Sequence, residues 1–202
     1  MSLLDDVLDG PVLEAAPRLL GATFTHGGVT VRLTEVEAYD GPGDPGSHAH
    51  RGRTRRNQVM FGPRGRLYVY FTYGMHHCCN VVVGADGDPA AVLLRAGEVV
   101  GGIEVARERR PGSPDRDLAR GPGRLCRTLG IGLEDDGLDL DGALVPAESP
   151  VSPTAISTGP RVGLRHAAER PWRFWLTGEP TVSRYVPAKP RTRSSVPTDP
   201  AR

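Results

Sequence analysis

Lysine is almost missing from this chain: Lys189 is the only one among 25 lysine and arginine residues. Enzymes that form Schiff bases usually need a buried lysine amine. Lys189 lies in a proline-rich stretch, so imine chemistry is not expected. Cysteine is scarce too. Cys78, Cys79 and Cys126 are too few for a disulfide framework or a four-thiolate cluster. No apolar run approaches the roughly 18 residues that a membrane span needs. Residues 1–9 are acidic where a signal peptide would be basic. The chain therefore reads as cytoplasmic, with no membrane partner. An excess of charge is also lacking, the formal net charge being +1 over 202 residues. A nucleic-acid surface must then come from local clusters.

What is present is a mixture of strands and short helices in one domain, residues 1–185. Residues 11–20 carry apolar side chains at helical spacing and end at Gly21. Residues 22–25 and 29–39 flank Gly27 and Gly28 and read as a hairpin. Alternation along its second strand puts Leu33, Glu35, Glu37 and Tyr39 on one face. Residues 40–52, full of Gly, Pro and His, are irregular. Residues 67–73, 79–83 and 90–94 read as strands, and 102–110 and 123–129 as helices. An acidic connection, 134–150, leads to a return to the sheet at 157–164 and 174–177. Residues 186–202 have the composition of a disordered tail.

Chemistry concentrates between Tyr39 and Tyr73. Four of the five tyrosines lie there (Tyr39, Tyr68, Tyr70 and Tyr73), with Arg51, Arg53, Arg55, Arg56, Arg64 and Arg66. No acid falls between His48 and Tyr73. Guanidiniums hold phosphates and aromatic rings stack on bases, so the pattern suits nucleic acid. A solvated loop beside a tyrosine-rich strand fits the composition equally well. Glu35 and Glu37, at i and i+2 on a strand, share a face roughly 7 Å apart. That gap can hold a water attacking a glycosidic carbon, although such a pair is more often solvated or bound to arginine. His76-His77-Cys78-Cys79 alternates on a strand and offers two ligands per face, so no metal site is expected. Gly121-Pro122-Gly123-Arg124 ahead of a helical stretch is a weak phosphate signal, with Arg124 as its cation.

Longer strings carry more. Residues 34–39 (TEVEAY), 44–51 (DPGSHAHR), 57–61 (NQVMF), 67–80 (LYVYFTYGMHHCCN), 91–96 (AVLLRA), 120–125 (RGPGRL) and 161–163 (RVG) closely resemble the alkyladenine (3-methyladenine) DNA glycosylase family. The likeness runs from about Leu20 to about Ser183, with the strings in the family's order. It implies an α+β fold, a single mixed domain with a curved, mainly antiparallel sheet flanked by helices. It implies a monomeric, monofunctional enzyme that hydrolyses damaged purines from double-stranded DNA, without cofactor or metal, and leaves an abasic site. Glu37 matches the general base, and Arg95 and the carbonyl of Val162 match the groups holding the attacking water. Tyr39, His48 and Tyr70 match the walls around the flipped base. Tyr73 matches the wedge left in the duplex, and Asn80 the residue crowding guanine's 2-amino group. Arg55 stands where the family usually has proline, and Gly97 and Val99 replace a leucine and a proline. Two rival readings remain open: a non-catalytic nucleic-acid-binding domain, and a hydrolase of free nucleosides.

Overall fold

A computed structural model describes residues 2–72 and 74–188. Ser2 opens the first helix, α1 (Leu3–Leu8), by exchanging hydrogen bonds with Asp5, its side chain accepting from the Asp5 N–H at 3.2 Å. This reciprocal cap satisfies two helix-end donors, and sequence reading passed over it. α2 (Val12–Arg18) follows and buries Val12, Ala15 and Ala16.

The sheet comprises β1 (Thr23–His26), β2 (Val29–Asp40), β3 (Leu67–Thr72), β4 (His76–Val83), β5 (Ala90–Gly101), β6 (Leu144–Val145), β7 (Ile156–Gly159) and β8 (Arg173–Leu176). Its order is β3-β4-β5-β2-β1-β6, and β8 pairs with both β2 and β7. Every pairing is antiparallel. With α3 (Ile103–Arg109) and α4 (Pro122–Leu129), this is the expected α+β architecture in a single domain. β4 starts three residues earlier than the sequence suggested, and β5 continues seven residues longer. The short β6 falls inside the stretch 134–150 that the sequence marks as a connection. No helix among the described residues is long and apolar enough to cross a membrane.

β2 departs from simple alternation. Leu33 lies opposite Gly97 and Glu35 opposite Ala96, which leaves Thr34 as an extra residue. Val36 then lies opposite Leu94, which leaves Arg95 extra on β5. Two neighbouring bulges change which side chains face the core. Val29, Val31 and Leu33 point into it before the bulge, Val36 and Ala38 after it. Leu33 therefore does not share a face with Glu35, Glu37 and Tyr39, which corrects the expectation from alternation. The main core lies on this apolar face under α1, α2 and α4, while a smaller cluster of Ala49, Met60, Tyr68, Val82 and Ala91 supports the loop after β2.

Gly97 belongs to the same irregularity. A Cβ there would overlap Val31 Cγ1 and come within 2.5 Å of the Arg32 carbonyl oxygen. Val31 and the bulged backbone thus fill the space that a leucine would take. Gly97→Leu is expected to cost about 1–3 kcal/mol by overpacking, read from the midpoint of urea unfolding. An unchanged midpoint would mean that the strand pair relaxes freely at this point.

Candidate active site

The bulges turn Glu35, Glu37 and Arg95 together, away from the apolar core. Both carboxylates are completely buried, where a polar group is costly unless it finds hydrogen-bond partners. Glu35 accepts from Arg95 Nε at 2.8 Å, Arg173 Nε at 2.7 Å, the Ser183 N–H at 2.6 Å and the Ser183 hydroxyl at 2.9 Å. Burial pushes its pKa up, but the two arginines and Ser183 outweigh this and hold it below the ordinary value. Glu35 is therefore an ion-paired anchor, the arginine-bound outcome that is the commoner one for such a pair.

Glu37 is bonded differently. Its Oε1 accepts the Val162 N–H at 2.7 Å and lies 3.3 Å from Arg95 Nη1. Among the described residues its Oε2 accepts only the Tyr39 hydroxyl, at 2.8 Å, so one oxygen keeps a lone pair for a further donor. Burial, then the neighbouring Glu37 and Tyr70, push the Tyr39 phenol well above its ordinary pKa, so it stays a neutral donor. The carboxylate itself is covered, yet Tyr39, Arg95 and Val162 all line a cleft of about 1000 Å³.

Arg161 fixes this corner from behind. Its guanidinium grips Asp44 with both terminal nitrogens, one at 2.7 Å, and donates to the Ala38 carbonyl at 2.9 Å. Neither side chain of the pair has exposed surface. The same guanidinium lies 4.6 Å from the Tyr39 ring centre and 5.1 Å from that of Trp172. One contact set thereby ties down the loop after β2, backs Tyr39 and delivers Val162 to Glu37. Gly46 is needed there, because a Cβ would stand 2.8 Å from Arg161 Nη2.

Beside the cleft, Tyr39, His48, Tyr68, Tyr70 and Asn80 surround a slot of about 30 Å³, room for water but not for a purine. His48 Nδ1 lies 3.0 Å from the Tyr68 hydroxyl, and its ring meets that of Tyr70 edge-on at 4.5 Å. Desolvation on that inner flank, then Arg56, holds the His48 pKa below the ordinary value, although its outer edge is exposed. Asn80 donates to the Tyr68 carbonyl at 3.1 Å, which fixes its amide in the slot wall.

Arg51, Arg53, Arg55 and Arg56 are exposed on the loop after β2. Asn57 shapes that loop by donating to the carbonyls of His48 and Gly52 at 2.9 and 3.1 Å. Arg56 lies 5.6 Å from the Tyr70 ring centre and so faces the slot. Arg124, exposed on α4, lines the cleft with Arg110 and Arg127, which sequence reading missed. Partial burial, then Arg124 and Arg127, lower the Arg110 pKa, a sign of crowded positive charge. Tyr73 lies outside the described residues; Thr72 and Met75 on either side of it line the cleft. Met75 is 69% exposed, an apolar side chain standing free at the cleft rim.

The sequence matches the methylpurine-DNA glycosylase family over residues 6–180. A relative from Nocardia farcinica, provisionally named a 3-methyladenine DNA glycosylase, is 53% identical across 92% of this chain and 91% of its own. Relatives with the same name from Leifsonia xyli and Streptomyces avermitilis are 55% and 51% identical. They cover 86% and 91% of this chain and 87% and 91% of theirs.

Proposed function

Because the chain belongs to the methylpurine-DNA glycosylase family and is an enzyme of the 3-methyladenine DNA glycosylase type, we propose that it flips damaged purines out of duplex DNA and hydrolyses their glycosidic bond with a water activated by Glu37. The observation that carries this reading is Glu37 itself, a buried carboxylate with one under-occupied oxygen whose three partners all line the cleft. The water oxygen attacks the sugar carbon, its proton passes to Glu37, and the bonding pair of the glycosidic bond leaves with the base. In the free protein the Tyr39 hydroxyl bonds to the oxygen that must receive this proton, so the water enters beside it or displaces it.

Substrates on this reading are 3-methyladenine, 7-methylguanine, hypoxanthine and ethenoadenine. Flipping a base costs a few kcal/mol, and aromatic stacking, about 1–3 kcal/mol per base, offsets it. Tyr39 offers one face for this because Arg161 backs it, and the slot beside Tyr70 and His48 widens to admit the ring. The resemblance alone assigns the wedge role to Tyr73. Arg51, Arg53, Arg55, Arg56 and Arg124 hold phosphates on both sides of the flipped nucleotide. Base, pocket and arginines come from one chain, which fits a monomer.

The test is base release from duplex oligonucleotides carrying one lesion each, beside the same bases as free nucleosides. Release from duplexes alone is expected, with the product strand intact until alkali is added and no adduct trapped by borohydride. Duplex binding without release would favour a binding module, and release from nucleosides a nucleoside hydrolase.

Asn80 gives a finer expectation. Its amide is fixed in the slot wall, where it crowds the exocyclic amine that guanine has and hypoxanthine lacks, which is discrimination by exclusion. Asn80→Ala is expected to release undamaged guanine slowly, most from mismatches, while 3-methyladenine release falls less than the guanine signal rises. A folded variant with no gain on guanine removes the exclusion role.

A further inference from the structure

Glu37 is one end of a longer chain of contacts. An arginine presents five N–H donors in a fixed fork and favours two parallel bonds to a carboxylate. Arg95 does not offer that arrangement to Glu37. Its Nε donates to Glu35 at 2.8 Å and its Nη2 to the Ser183 hydroxyl at 3.3 Å, so only Nη1 faces Glu37, at 3.3 Å.

Both partners that hold Arg95 are themselves fixed. Glu35 also binds Arg173 and two donors of Ser183. Ser183 lies in residues 181–186, a strap without regular structure beyond residues 6–180 of the family match. Thr181 Oγ1 lies 2.9 Å from Thr34 Oγ1 at the bulge, and the Val182 carbonyl accepts from Arg120 Nε at 2.8 Å. The Ser183 carbonyl accepts from Arg173 Nη2 at 3.0 Å, and that of Val186 from the Gly163 N–H at 3.0 Å. The strap thus touches the bulge, an arginine of the cleft and the residue after Val162.

We propose that Glu35 and Ser183 are positioning residues for base removal, holding Arg95 so that a single N–H reaches Glu37. The inference rests on the reading of Glu37 as the base. Released from either partner, the guanidinium would turn its fork onto Glu37, occupy its oxygens and leave a weaker base behind. Among the described residues, the charged and titratable groups around Glu37 are Tyr39 and, across Arg95, Glu35 on its own strand, Tyr70 on β3, Cys78 on β4 and Arg95 on β5. Arg95 is the only cation in ion-pair range of Glu37 among the described residues, and it is the group that Glu35 and Ser183 touch.

The experiment compares Glu35→Gln, Ser183→Ala and Ser183→Thr in the full chain. Single-turnover release of one alkylated purine from a duplex is followed across a pH series, with duplex affinity and thermal midpoint alongside. Misplacement of a catalytic group by about 1 Å can cost on the order of 10²-fold. Glu35→Gln is expected to lose about that much and Ser183→Ala roughly tenfold. In both, the acid limb of the profile moves to lower pH while duplex affinity holds. Ser183→Thr keeps the hydroxyl and restores the rate.

If Glu35→Gln does not fold, the serine pair decides, since Ser183 is only half-buried. A full rate with an unmoved acid limb in Ser183→Ala overturns the proposal, as does a threonine variant as slow as the alanine one. Inactive Glu37→Gln beside unmoved profiles overturns the positioning role alone. Active Glu37→Gln overturns the base assignment and this role with it.

Discussion

Replacing Glu37 with glutamine is expected to slow base release by on the order of 10³-fold, within the range that a positioned general base supplies. Affinity for lesion DNA should stay within a few-fold. The amide is isosteric, its oxygen can still accept from the Val162 N–H, and the Tyr39 hydroxyl can turn from donor to acceptor. Arg95 keeps Glu35 as a buried counter-ion, so the variant strands no unpaired charge. What disappears is the ability to take a proton from water. Single-turnover release and equilibrium binding on one lesion duplex separate the two quantities. Near-normal release would take Glu37 out of the chemistry altogether.

Cutting the Asp44–Arg161 pair should damage the molecule most severely. Removing one partner of a buried ion pair leaves an uncompensated charge and costs about 3–5 kcal/mol. That is a large share of the 5–15 kcal/mol by which domains are usually stable. Arg161→Ala also removes the ring contacts to Tyr39 and Trp172, so it should be the worse of the two single changes.

Asp44→Asn permits a sharper test through pH. Burial raises the Asp44 carboxyl, but Arg161 and the N–H groups of Gly46 and Asp40 outweigh it and hold the pKa below its ordinary value. A depressed folded pKa gives stability that is fully present above the unfolded value of about 3.9. It is lost as the pH falls from there through the folded pKa. Wild type should therefore lose stability below about pH 4, and the asparagine variant should lose less over that interval. Urea unfolding at a series of pH values measures both. A cost under about 1 kcal/mol, typical of exposed pairs, would show that the corner is open to solvent.

The parts of this architecture that sequence reading reached are those with a local signature. The hairpin at Gly27 and Gly28, the arginine loop and the Glu37–Tyr39 pair each sit within a few residues of the pattern that betrays them. The dense tyrosine strings carried the rest through family likeness. What stayed hidden is long-range. Arg161 and Asp44 are 117 residues apart, and Ser183 and Glu35 are 148 apart. No spacing rule links such positions. The bulges left no trace because Thr34 and Arg95 look like ordinary strand residues, so alternation carried Leu33 onto the wrong face. The exception is α1, whose Ser2 and Asp5 stand at capping-box spacing.

The paired irregularity in β2 and β5 also dictates how this gene can change length. Losing one codon between Leu33 and Val36 would leave the extra residue of β5 without its counterpart, because the two irregularities offset each other and Leu33–Gly97 and Val36–Leu94 now share one register. Losing the Arg95 codon would mismatch the partner strand in the same way. Amino-acid replacements here are graded in effect, whereas insertions and deletions of a single residue are all-or-none. A library of one-codon deletions should therefore be intolerant across these two short windows. It should be permissive in the turn at residues 85–88, which no strand spans.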